Sequence, residues 1–81
     1  MVDTSFAALQ QLIGEEFDVA PDTIGRETSA EDVDGWDSIS HATIIMSIEK
    51  QFGIRFPNED IYTLANVGEL YDRILALRTA A

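Results

Sequence analysis

Apolar residues in this chain recur at the spacing of a helix and nowhere at the alternating spacing of a strand. Phe6, Leu9, Ile13 and Phe17 fall on one face of a helix read over residues 4–17, with Asp3 or Thr4 as its N-cap. A second helix is read over 38–52, where Asp37 suits the N-cap and Gly53 follows at the point that favours a left-handed cap. A third, over 67–78, buries Val67, Leu70, Tyr71, Ile74 and Leu77. Asn66 and Glu69 give it a capping-box-like start, and Arg73 and Arg78 complement its C-terminal dipole. Pro57, Glu59 and Asp60 suit a single helical turn over 57–62. There is no internal repeat. The pattern predicts an all-α fold, a small four-helix bundle of three main helices and one short one. At 81 residues the whole chain, 1–81, is read as one domain.

Residues 18–37 read as a long loop between the first two helices. Val19, Ile24 and Val33 are spaced along it as anchors to the core. An unstructured connection of that length is unusual in a small domain, and signals a functional loop or an element with no periodicity. Charge concentrates here. The chain holds 5 basic and 15 acidic residues, a net charge of -10. Nine of the acids lie within residues 15–37, where Arg26 is the one base. Such a balance disfavours nucleic acid and anionic lipid as partners, and favours proteins with basic surfaces. With no cysteine, the chain forms no disulfide or thiolate metal site, and holds no thioester on its own atoms. One histidine without cysteine makes a metal site improbable on the same grounds. No run approaches the ~18 apolar residues of a membrane span. Nothing at Met1–Thr4 resembles a secretory signal, so a cytoplasmic, soluble chain is expected.

The second helix carries two apolar stripes. His41, Ile44, Ile45, Ile48 and Phe52 gather on one side, which suits a core. Ile39, Ala42 and Met46 gather about 140° away, at about 100° per residue. That second stripe is either extra burial or a small patch for partners, to which methionine adapts well. Ser38 is expected as the first residue of this helix, near backbone N–H groups that lack helical partners. A phosphate there would be favoured by those donors and by the helix dipole. Position alone equally suits an ordinary serine.

Catalytic and metal alternatives fit the spacing poorly. A calcium loop centred on Gly35 would put Ala30 and His41 where carboxylates are required. A nucleophile elbow would need glycines in place of Trp36 and Ser40. Asp37, Ser38 and His41 could meet, but a helix start exposed to water offers no oxyanion hole. An unmodified acidic adaptor remains open on the residues alone.

The run Gly35-Trp36-Asp37-Ser38-Ile39, heading a helix that ends at Phe52-Gly53-Ile54, resembles the acyl carrier proteins. The likeness extends over nearly the whole chain, including Ile24 and the Val67-Gly68-Glu69 start of the last helix. It implies a four-helix bundle in which Ser38 receives 4′-phosphopantetheine from coenzyme A through a separate phosphopantetheinyl transferase. It further implies that Asp37 helps engage that transferase and that the arm's thiol carries acyl groups as thioesters between enzymes. The chain would be a monomeric carrier and not an enzyme. Ile39, Ala42 and Met46, with Trp36, match partner-facing positions. Where primary fatty-acid carriers place acids after the serine, this chain has Ser40 and Thr43, and Trp36 looks more like discrete carriers of specialised pathways. The acidic segment would then guide basic loading and processing enzymes.

Overall fold

In a computed structural model, which describes residues 5–61 and 64–80, all regular structure among the described residues is helical. Helix α1 spans Phe6–Phe17, α2 Ser38–Phe52, the four-residue α3 Asn58–Ile61 and α4 Val67–Ala80. The start of α1 differs from expectation. Ser5 is the N-cap, its Oγ accepting from the Ala8 backbone N–H at 3.2 Å. Asp3 and Thr4 lie outside the described residues. The short helix begins at Asn58, one residue after Pro57.

The connection 18–37 is more structured than a loop. It contains two 3₁₀ turns, Pro21–Thr23 and Ala30–Asp32. The first begins with proline, whose fixed φ suits that position. In the second, Ser29 and Asp32 satisfy each other's backbone N–H groups in a capping box. Two backbone bonds then strap this connection to α4. The Val67 N–H donates to the Thr28 carbonyl and the Gly68 N–H to the Arg26 carbonyl, each at 2.8 Å. The first amides of α4 have no partner within the helix, and the connection supplies it. This close approach requires glycine, because a Cβ at Gly68 would lie 2.9 Å from the Arg26 oxygen. The Gln10 side-chain amide also donates to the Ile24 carbonyl, tying the connection to α1.

One apolar cluster joins these pieces. Leu9 and Ile13 from α1, Ile24 from the connection, Ile44 and Ile48 from α2, and Ile74 from α4 are all at most 1% exposed. Each such side chain contributes roughly 1.5–3 kcal/mol on leaving water. Ile24 and Val33 are buried as the spacing suggested, while Val19 is half-buried. Phe6 meets Tyr71 edge-on, with ring centroids 5.3 Å apart, and so joins α1 to α4.

Caps fix the entry and exit of α2. Asp37 accepts from the Ser40 N–H at 2.9 Å. Gly53 ends the helix at φ 68°, and its N–H donates to the Glu49 carbonyl. The Glu49 carboxylate also accepts from the Phe56 N–H at 2.7 Å, which holds the turn toward α3. At α4, Asn66 accepts from the Glu69 N–H, and Glu69 in turn accepts from Ala65, one residue before the usual capping-box donor.

Candidate functional site

Ser38 is the first residue of α2 and is exposed. It follows the capping Asp37, which is also exposed. The Ser40 backbone N–H, assisted by the Ser40 side chain, holds the Asp37 carboxyl below its ordinary value. Asp37 therefore remains charged at the helix N-terminus, where a negative group is favoured. The Asp37 carbonyl accepts the first helical bond, from the His41 N–H at 2.8 Å.

Beside Ser38 lies an open concavity of about 270 Å³, lined by Ala30, Trp36, Asp37, Ser38, His41 and Leu64. Trp36 and His41 form part of its wall, and Phe17 backs the indole. Trp36 lies parallel to Phe17, with centroids 5.1 Å apart and planes 18° apart. The Trp36 Nε1–H donates to His41 Nδ1 at 3.0 Å. Indole can only donate, so Nδ1 is the acceptor and the His41 proton sits on Nε2. Nε2–H then donates to the Ile61 carbonyl. Both ring nitrogens of His41 are engaged, and none is left to act as a base toward Ser38. The arrangement can anchor a group on Ser38 and let it lie along a groove, but it does not activate the hydroxyl.

The second stripe of α2 faces solvent. Ile39 is 78% and Met46 68% exposed, whereas Ala42 is half-buried. Ile44, Ile45, Ile48 and Phe52 are buried, and His41 lies at their edge. Trp36 is drawn inward by Phe17 and His41 and presents only part of its surface. Sequence reasoning did not bring Ala30 and Leu64 to the site. They stand on separate connections, and only the fold carries them to Ser38. Among the described residues no cluster of His, Asp and Glu converges to hold a metal ion, and no helix is long and apolar enough to cross a membrane.

A group of phosphopantetheine type fits these residues: an accessible hydroxyl, a helix start that favours a phosphate, and a groove of mixed polarity leading away. Residues 7–74 match the phosphopantetheine attachment site family. An acyl carrier protein of Renibacterium salmoninarum is 36% identical over 63 residues, covering 78% of each chain. One from an Arthrobacter species is 38% identical over 64 residues, again covering 78% of each. The solution structure of a holo acyl carrier protein from Geobacter metallireducens superposes with a TM-score of 0.83 at 35% identity, over 96% of this chain and 90% of that one. The chain belongs to the acyl carrier protein family, whose members are carriers and not enzymes and bear a covalently attached 4′-phosphopantetheine.

Proposed function

We propose that Ser38 carries the 4′-phosphopantetheine arm, which a separate transferase delivers from coenzyme A. The observation that carries this reading is an exposed serine at the first position of α2, directly after an N-capping Asp37 and at the rim of a groove. The arm supplies a terminal thiol that holds acyl groups as thioesters, the chemistry a chain without cysteine lacks. The protein's own residues anchor and orient. Asp37 fixes the helix start on which the hydroxyl stands and offers a charge to the transferase. Ile39, Ala42 and Met46 form the docking stripe for acyl-loading and acyl-processing enzymes, and Trp36 shapes the groove wall beside it. Ser40 and Thr43, in place of acids after Ser38, support a carrier dedicated to a specialised fatty-acid or polyketide pathway.

The chain acts as a single four-helix domain, a cytoplasmic monomer whose acidic connection 18–37 meets basic surfaces on its partners. Ile39, Met46 and Leu75 are the large apolar side chains exposed among the described residues, too few for a stable homodimer face. Incubation with coenzyme A and a broad-specificity transferase is expected to add one phosphopantetheine to the intact mass. Ser38→Ala should abolish the addition. An addition that persists in Ser38→Ala, or none on the parent chain, would overturn the assignment and favour an unmodified acidic adaptor.

A further inference from the structure

The groove beside Ser38 does not end at its floor. A second, inner space lies behind it and shares Ala30, Trp36, His41 and Leu64 with the first. This inner space reaches the buried core side chains Val67 and Leu70. The two differ greatly in size: about 270 Å³ for the outer groove against about 30 Å³ for the inner one. The inner volume holds about two waters and is far too small for an alkyl chain. Trp36 and His41 border both spaces and belong to the hydrogen-bonded series Trp36–His41–Ile61 carbonyl, with Trp36 backed by the Phe17 ring. The series links α1, the connection, α2 and α3 at the boundary of the two spaces.

The geometry points to the Trp36–His41 pair as a latch that excludes an arm-borne acyl chain from the bundle and holds it in the outer groove between Ala30 and Leu64. The inference rests on attachment of the arm at Ser38. Its physical basis is directional. Opening the passage requires the indole to swing away, which parts it from His41 Nδ1 and from the Phe17 face together. The half-buried His41 acceptor would lose its donor, and the indole would lose its ring partner. An apolar chain entering there would offer no hydrogen bond in return. Cargo that remains outside stays accessible to partner enzymes without prior opening of the helices. Trp36 and His41 are thus positioning residues for the cargo.

The test uses the protein loaded with an octanoyl-pantetheine arm from octanoyl-coenzyme A, with intact mass recorded first. Methyl and amide NMR spectra of this form are then compared with those of the unacylated holo form. In the parent protein, shifts are expected at Ala30, Leu64 and the Trp36 indole N–H, with no nuclear Overhauser contacts from the octanoyl chain to Val67 or Leu70. Trp36→Phe keeps a ring against Phe17 but removes the donor; His41→Phe removes the acceptor. In either variant, once circular dichroism shows full helix content, contacts to Val67 and Leu70 should appear. Thioester hydrolysis should slow severalfold as the chain withdraws from water. Contacts to Val67 or Leu70 in the parent protein, or folded variants that behave as the parent, overturn the latch alone. A mass without the octanoyl-pantetheine addition overturns attachment, and the latch with it, by a separate readout.

Discussion

Asp37 caps the helix on which Ser38, the proposed attachment residue, stands. Its carboxylate accepts from the Ser40 N–H at 2.9 Å, and that bond lowers its pKa below the ordinary carboxylate value. A carboxyl lowered in the folded state stabilises the fold above its unfolded pKa. That contribution is lost as pH falls through the lower folded value. Asp37→Asn keeps an acceptor at the N-cap but removes the charge. In thermal melts from neutral to acid pH, the parent is therefore expected to lead this variant near pH 7 and to converge with it in acid. A constant gap across the range would mean that the charge adds nothing. The site was legible in sequence where a single helix determines it. The wheel of α2 separates Ile39 and Met46 from Ile44 and Ile48, and the cap assigns Ser38 to the first turn. The Trp36–His41 bond was not legible, because it depends on an indole outside the helix turning back toward a residue on it. Periodicity carries no information about that rotation.

Helix α1 is poorly matched to its own dipole. Its first turn holds no acid and its last turn no base, while Glu15, Glu16 and Asp18 crowd its C-terminal end. Asp18 also closes the helix in the left-handed region, at φ 56° and ψ 48°, with its N–H donating to the Gly14 carbonyl. That conformation costs an L-residue on the order of 1 kcal/mol, less for Asp than for most, and the misplaced charge adds about 0.3–1 kcal/mol. Glycine at this position relieves both, offset in part by its greater freedom when unfolded. Asp18→Gly is expected to stabilise the protein by about 0.5–1 kcal/mol, read as a Tm a few degrees higher. An unchanged or lower Tm would show that the acid has a compensating role. The three long helices were legible because each repeats its apolar spacing over several turns. The two 3₁₀ turns were not, since three residues contain no period. Their signals were local: Pro21 at one start, and Ser29 with Asp32 at the other. The strap to α4 escaped the sequence altogether, because it joins backbone groups of Arg26 and Thr28 to Val67 and Gly68 across the fold.

The charge of the molecule is arranged so that its acidic segment stays acidic in practice. All nine acids of residues 15–37 are exposed. Arg26, their one basic neighbour in sequence, instead pairs with Asp72 on α4 at 2.8 Å. Both partners of that pair are more than half exposed, so it adds little stability, but it directs the positive charge away from the segment. On the proposed function, a basic partner would meet a field of one sign near Ser38, with the exposed Ile39 and Met46 beside it. These features act at different stages of association. Long-range charge governs the approach rate, and close apolar fit governs escape. Screening lengths shrink from about 10 Å at 0.1 M salt to about 3 Å at 1 M, so the rate of complex formation with a phosphopantetheinyl transferase should fall steeply as salt rises. Glu31 and Asp34 separate the two contributions, because the capping carboxylates of this region are those of Asp32 and Asp37. Glu31→Gln with Asp34→Asn is expected to slow association at low salt and flatten its salt dependence, with dissociation unchanged. Ile39→Ala should leave the salt slope intact and speed dissociation. Stopped-flow measurement with each variant decides the matter: association that ignores salt would remove the acidic segment from recognition, and an unaltered dissociation rate in Ile39→Ala would remove the stripe.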